Sequence, residues 1–359
     1  MNIAFFIPSL SNKGGVERAT ISLINSLATN FSFEVNIILI TFSSNSFAFE
    51  ISDNIKIVSL NIKNYKKQYL ILLLRLWKAI RDNNINIVIS VETMSLMFTF
   101  LPILALKNKP KLVVWEHFNY KNNNGLKVRS WLRGLASKQS DLIVTLTEKD
   151  AMTWVKNLQP KTQITYIYNI SPFFNHKPKY DIYSKKAIAI GRYVSVKGFD
   201  RLIKAWDLFE SKYGSNGWSL DIIGYGEEQE RLQSIIDSTN STTINLISDS
   251  QGIEQIYGQA AIYLMSSYFE GLPMVLIEAQ SFALPSIAFD IYAGPSEILG
   301  IGSGILVKDN DLESYAEAIY KLTSNNNLRY QLSENSSLYN KRFSDIVIAD
   351  EWIQKLKNL

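Results

Sequence analysis

Residues 187–206 read AIAIGRYVSVKGFDRLIKAW. The first five are apolar or small without interruption, which is how a parallel strand covered on both faces reads. A turn follows, and from about Phe199 the apolar positions recur at helical spacing. This strand-turn-helix unit puts Arg192 just past the strand and Lys197 five residues on. Both cations then fall at the carboxyl edge of a sheet, where open α/β folds bind ligands. A guanidinium fork beside a lysine point charge suits a diphosphate. Two solvated loop cations are the plainer alternative.

The same unit recurs in both directions. Downstream, LDIIGYG (220–226), TINLIS (243–248), AIYLMS (261–266) and SIAFD (286–290) read as strands, each followed by a turn signal or a helix. Upstream, NIAFFI (2–7), VNIILI (35–40), IKIVSL (55–60), INIVIS (85–90), KLVVWE (111–116) and LIVTLT (142–147) do the same. Helix-period stretches such as VERATISLINSLA (16–28) and QYLILLLRLWKAIRD (68–82) lie between most of them. The series breaks at ISPFFNHKPKYDIYSKK (170–186), where prolines and aromatics show no period, so a linker is expected. A chain of 359 residues also exceeds what one core usually holds. The expected fold class is α/β, two Rossmann-like domains with parallel sheets facing a central cleft. Their expected limits are 1–170, a linker over 171–186, and 187–340. A C-terminal helix over 341–359 is then free to pack back on the first domain.

With 47% hydrophobic and 19% charged residues the composition is that of a globular protein, not a disordered one. Cysteine is absent, which excludes disulfides and thiolate metal sites. MNIAFFIPSL reads as a first buried strand, not a signal peptide. The longest apolar runs, YLILLL (69–74) and LMFTFLPILAL (96–106), fall short of the about 20 residues that span a bilayer. A cytoplasmic protein touching a membrane only from the side is therefore expected. The net charge of +4 is unevenly spread. Residues 1–175 hold 20 Lys and Arg against 10 Asp and Glu, and residues 176–359 hold 17 against 23. A basic first half suits an anionic surface, and of nucleic acid and membrane lipid we take the membrane, with no nucleic-acid partner.

Three more elements carry chemistry. In PSLSNKGG (8–15), between strand and helix, Gly14 and Gly15 let the backbone approach an anion at a helix start. It is not the G-x-G-x-x-G of dinucleotide folds, which disfavours a nicotinamide dehydrogenase. In YFEGLPMVLIEAQ (268–280), Glu270 precedes a helix opened by Pro273, and Glu278 lies one to two turns inside it. The free N–H groups of Met274, Val275 and Gly271, beside Leu272, make a cradle for an anion or hydroxyl. In KLVVWEHFNY (111–120), His117 follows a strand and is a candidate to touch substrate, with a structural histidine the plainer alternative.

Gly14-Gly15, Arg192-x4-Lys197 and the Glu270-x7-Glu278 pair within EGLPMVLIEA together resemble a family 4 retaining glycosyltransferase of the GT-B fold, bacterial surface-polysaccharide type. The resemblance covers nearly the whole chain. It implies that Arg192 and Lys197 hold the donor diphosphate and stabilise it as it leaves. Glu278 would take the ribose hydroxyls, and Glu270 with Gly271, Leu272, Met274 and Val275 the donor sugar. Gly14-Gly15 would approach the phosphates, and His117 the donor sugar or acceptor hydroxyl. Departures from the family pattern are Tyr225 in LDIIGYGEEQE and Ser248 in INLISDSQGIEQIYGQA, both in loops where the family holds the base. No metal or other cofactor is expected, because Asp309-Asn310-Asp311 reads as a helix cap.

On the acceptor side, Lys63, Lys66, Lys67, Arg75 and Lys78, with Arg129 and Arg133 further on, make basic amphipathic segments. These suit an anionic membrane or the diphosphate of a lipid-linked saccharide. The expected activity is transfer of a hexose or N-acetylhexosamine from a nucleoside diphosphate sugar, UDP-linked, at the inner face of the cell membrane. A nucleotide-sugar epimerase or phosphorylase, and a non-catalytic nucleotide-binding subunit, are the competing readings.

Overall fold

The computed structural model describes all residues except 13, 45, 123–124, 177–178, 249–251 and 301. The chain divides into two compact units, Met1–Pro172 with Phe343–Leu359, and Phe173–Arg342.

The first unit runs β1 (Asn2–Phe6), α1 (Gly15–Asn30), β2 (Asn36–Thr41), β3 (Lys56–Ser59), α2 (Tyr69–Asp82), β4 (Ile87–Val91) and α3 (Leu96–Leu104). It continues through β5 (Lys111–Trp115), α4 (Lys127–Gln139), β6 (Leu142–Thr145), α5 (Glu148–Leu158) and β7 (Gln163–Tyr166). The second runs β8 (Lys186–Ile190), α6 (Phe199–Tyr213), β9 (Ser219–Ile223), α7 (Gln229–Asp237), β10 (Ile244–Ile247) and α8 (Ile253–Gln259). Then come β11 (Ile262–Met265), α9 (Met274–Ser281), β12 (Ser286–Asp290), α10 (Pro295–Leu299), β13 (Gly304–Lys308), α11 (Leu312–Ser324) and α12 (Asn326–Tyr339). The last helix, α13 (Asp345–Lys357), belongs to the first unit.

Each unit is built on one parallel sheet. The orders are β3-β2-β1-β4-β5-β6-β7 and β10-β9-β8-β11-β12-β13. Both are doubly wound, and strand order reverses between β1 and β4 in the first sheet and between β8 and β11 in the second. Crevices at such switch points, outside the carboxyl ends of the strands, are where this architecture holds ligands. The central strands are apolar on both faces because helices cover both. Ile3 to Phe6 in β1 and Ile87 to Val91 in β4 are buried throughout.

Two strands escape the sequence reading, β7 and β13. Each is a sheet edge, only partly buried, and so lacks the continuous apolar run that marks a central strand. The expected linker is not a free tether. Phe173 is buried against Phe282 at 5.3 Å between ring centres, and the Tyr180 hydroxyl donates to the Ala261 carbonyl at 3.0 Å. At the far end, α13 packs on α1, with Ser26 Oγ donating to the Asp345 carbonyl at 3.1 Å. Trp352 is buried against Trp115, ring centres 5.1 Å apart. Truncating such an indole costs roughly 3–5 kcal/mol, so this helix is an integral part of the first unit.

Candidate active site

In the second unit the switch point brings two loops together. The loop after β8 carries Lys197, and the loop after β11 carries Glu270. Lys197 Nζ lies 2.8 Å from Glu270 Oε1, and Ser267 Oγ donates to the same oxygen at 2.7 Å. Both charged groups are mostly buried, and the stem of Lys197 lies over Gly191, directly before exposed Arg192. Glycine at 198 is required here. Its φ is +63°, and a Cβ would strike the Ser266 carbonyl, so the start of α6 sits hard against the end of β11.

Arg201, in the first turn of α6, fixes that junction from within. Its guanidinium donates to the Ser266 carbonyl at 2.7 Å, the Ser267 carbonyl at 2.6 Å, Asp309 at 2.7 Å and Asn310 at 2.8 Å. The backbone that presents Glu270 is thus held by a buried cation that the sequence reading did not single out. Asp309 and Asn310 serve Arg201, while Asp311 caps α11 by accepting from the Ser314 N–H at 3.0 Å.

Helix α9 starts at Met274 with Pro273 at its cap. Glu278 is buried on this helix, where the Tyr257 hydroxyl donates to it at 2.9 Å. A buried carboxylate is costly unless hydrogen-bonded, so Glu278 is no ordinary exposed helix residue. Gly271, Leu272, Met274 and Val275 all belong to the same loop and first turn. Tyr225 is exposed after β9, while residues 249–251, next to Ser248, lie outside the described residues.

In the first unit, Gly14 caps α1 and Gly15 opens it. The Glu17 carboxylate folds back over Gly14, in the space a Cβ would fill. A phosphate arriving there would meet a carboxylate first. The loop after β5 is organised by Glu116, wholly buried. Its carboxylate accepts from Thr93 Oγ1 at 2.5 Å and from the N–H groups of His117 and Phe118 at 3.0 and 3.1 Å. Arg129 and Arg133 reach it at 3.5 and 3.4 Å. His117 is buried with its ring 4.4 Å from that of Trp115, and its Nε2 finds no partner among the described residues.

Comparison with known proteins decides the family. The family model described as Glycosyltransferase Family 4 matches residues 13–170, and that described as Glycosyl transferases group 1 matches residues 173–338. The chain belongs to the family 4 glycosyltransferases. It is 29% identical to an uncharacterized glycosyltransferase of Haemophilus influenzae, over 98% of each chain. It is 27% identical to the amylovoran biosynthesis glycosyltransferase AmsD of Erwinia amylovora, again over 98% of each. A Campylobacter jejuni α-1,4-N-acetyl-D-galactosaminyltransferase, named for a diNAcBac-PP-undecaprenol-linked acceptor, is 23% identical over 99% of this chain and 98% of its own. Among solved structures, Anabaena HepE in complex with UDP superposes with a TM-score of 0.81 at 15% identity, over the whole of both chains. That likeness is one of fold, and the fold is GT-B.

The structure corrects part of the acceptor-side assignment for this glycosyltransferase. Arg129 and Arg133 face no membrane. They are buried against Glu116, and Arg133 also donates to the Tyr120 and Asn119 carbonyls, the latter at 3.0 Å. In sequence they look like two more cations on an amphipathic helix, since nothing local shows that the loop before the helix folds the Glu116 carboxylate back onto them. Arg75 is likewise engaged, donating to the Leu60 and Asn61 carbonyls at 2.7 and 2.9 Å. Lys63, Lys66, Lys67 and Lys78 are exposed. Among the described residues, no three His, Asp or Glu side chains are grouped to hold a metal ion.

His117 carries a pH signature. Burial pushes its pKa down to about 3, so the folded ring stays neutral. As pH falls below 6.5 the unfolded chain takes up a proton that the folded protein refuses, and stability is lost. Burial raises Glu92 and Asp150 to about 7, and these add stability as pH falls from 7, which partly masks the loss. The contribution of His117 is therefore read as a difference. Relative to His117→Asn, the parent should lose about 1.4 kcal/mol per pH unit below about 6. Urea titrations of both proteins at pH 7, 6 and 5 measure it, and parallel pH profiles would contradict the assignment.

Proposed function

We propose that this glycosyltransferase binds a nucleoside diphosphate sugar, UDP-linked, in its second unit and moves a hexose or N-acetylhexosamine to a lipid-linked saccharide. The product belongs to a bacterial surface polysaccharide or related glycan. The observation that carries the reading is Lys197 held 2.8 Å from Glu270 at the β8/β11 switch point, on the loop that leads into α9. Lys197 and Arg192 take the diphosphate. Glu270 and the loop that runs from Gly271 into α9 take sugar hydroxyls, and Glu278 the ribose. The names of the C. jejuni relative and of the UDP complex of HepE agree with this donor and acceptor.

The chemistry is a displacement on one face of the sugar. The bond from C1 to the β-phosphate oxygen breaks as the acceptor oxygen bonds to C1 on the same side. The acceptor proton passes to the departing phosphate, and configuration is retained. Cationic Lys197 and Arg192 stabilise the charge that grows on the leaving group, without a metal ion.

Thermal-shift measurement with UDP, GDP, ADP and their sugars, followed by transfer assays with and without EDTA, tests this. Stabilisation by UDP and a UDP-sugar is expected, because a ligand of the folded state shifts melting by mass action. Donor turnover that needs no acceptor would point to an epimerase or phosphorylase. Nucleotide binding without transfer would point to a binding subunit, and activity abolished by EDTA and restored by manganese would overturn the metal-free mechanism.

We also infer that the first unit works against an anionic membrane surface at the inner face of the cell membrane. No described helix is long and apolar enough to cross a bilayer. Helix α2 buries Leu72 and Leu76 but leaves Leu70 and Leu74 at 74% and 67% exposed, beside Lys66, Lys67 and Lys78. The neighbouring α3 exposes Leu101 and Leu104, and α4 exposes Trp131. Each inserted leucine contributes roughly 1.5–3 kcal/mol and each lysine near anionic lipid about 1 kcal/mol. Vesicles rich in phosphatidylglycerol should retain the protein at low salt and release most of it at high salt. Leu70→Ser with Leu74→Ser should weaken binding at every salt concentration. Equal binding to neutral vesicles, or none by either protein, would remove the membrane assignment.

A further inference from the structure

Glu92 directly follows β4, which puts it at the switch point of the first sheet, across from the α1 start that follows β1. It is the counterpart in that unit of Glu270 in the second. Its backbone is held at φ 64°, ψ 145°, close to a region that is almost exclusively glycine's. The conformation is enforced from both sides. The Glu92 N–H donates to the Trp115 carbonyl at 2.8 Å, and its own carbonyl accepts from the Ser95 N–H at 3.0 Å. Glycine would fit this geometry with less strain, yet a glutamate stands there.

The side chain is partly exposed, 3.7 Å from the Arg129 guanidinium. The Glu116 carboxylate, from the loop after β5, and Glu17, from the first turn of α1, act on it electrostatically. Burial and these two carboxylates raise its pKa to about 7, against the pull of Arg129. A second observation points to a ligand. Arg129 is only 4% exposed, yet its Nε finds no partner among the described residues, and buried His117 Nε2 next along the same edge has none either. Buried polar groups are rarely left so. A partly exposed carboxylate, an unmet guanidinium N–H and a neutral imidazole nitrogen together offer both acceptors and donors. Sugar hydroxyls, which donate and accept at once, match that set.

We propose that Glu92 binds the acceptor saccharide, accepting a hydrogen bond from one of its hydroxyls at the carboxyl edge of the first unit. This rests on the reading of that unit as the acceptor side. Glu92 then holds the acceptor and takes no part in breaking the donor bond.

The test uses full-length protein, a UDP-sugar and a synthetic alkyl-diphosphate N-acetylhexosamine as acceptor. Glu92→Ala should raise the acceptor KM about 10- to 100-fold, with kcat and donor KM within about twofold, since a hydrogen bond to a charged group is lost. In the parent, acceptor KM should rise as pH falls from 8 to 6 and Glu92 takes a proton, and in Glu92→Gln it should stay flat. Glu92→Gly, which relieves the backbone, should melt at or above the parent temperature while losing acceptor affinity. An unchanged acceptor KM, a donor KM that rises in step, or a Glu92→Gly protein that melts well below the parent would each overturn the proposal. If the parent transfers sugar and Lys197→Ala does not, such a result condemns Glu92 alone. If the parent transfers nothing, the glycosyl-transfer reading beneath it falls too.

Discussion

Lys197→Ala is expected to lower turnover about 10²–10³-fold while leaving the protein folded. The nitrogen is 2.8 Å from Glu270 Oε1 at the β8/β11 switch point, so the cation is already placed before any ligand arrives. A charge fixed beforehand needs no reorganisation when negative charge develops on a leaving diphosphate, and that is where its effect on rate arises. Loss of the ion pair itself should cost little stability. Both partners keep some solvent contact, and Ser267 Oγ still donates to Glu270 when the lysine is gone, so the cost stays well below that of a fully buried pair. Rate and melting temperature therefore separate the two roles. Initial rates at saturating donor, set beside thermal melts, make the measurement. A variant with near-parent turnover removes the diphosphate assignment, and one that melts far below the parent makes Lys197 a structural residue. Arg192→Ala should follow in direction with no stability penalty, since Arg192 is exposed.

Glu116→Ala should destabilise the first unit by about 3–5 kcal/mol. Its carboxylate is the shared partner of two buried guanidiniums, Arg129 and Arg133, and of the N–H groups that shape the loop bearing His117. Truncation leaves two cations in the core without their carboxylate, which costs far more than the pairs themselves add. Glu116→Gln, keeping one acceptor oxygen and the shape, should lie between. Because the damage falls in the first unit, UDP should still shift the melting of the second. Urea unfolding with and without UDP checks both statements. A Glu116→Ala protein within about 1 kcal/mol of the parent would mean that the cluster is solvated and not buried.

Much of this could be read along the chain. The central strands announced themselves because a strand covered on both faces must be apolar throughout, as in Ile87 to Val91. Arg192, Lys197, Glu270 and the α9 start were legible because each follows a recognisable strand within a few residues. Edge strands β7 and β13 were not, since half-buried edges lose the apolar run. Arg129, Arg133 and Arg201 were missed or misplaced for another reason. A buried cation and an exposed one have the same letter and the same helical neighbours, and only the distant carboxylate or carbonyl tells them apart. Glu92 gave no sign either, because its unusual backbone follows from Trp115 and Ser95 gripping it on either side.

From its sequence alone this protein's two parallel α/β domains, its family motif and the position of its strand-end loops were already determined, because these depend on local periodicity and short spacing. Tertiary structure alone decided which charges stand exposed or poised at a sheet edge and which are struts. Lys197 became a poised cation through Glu270, Arg201 a clamp through Ser266 and Ser267, and Arg129 and Arg133 internal ties through Glu116. The physical reason is that a charge takes its meaning from desolvation and from the partner across from it, and in this fold partners meet only once loops and strands have packed together.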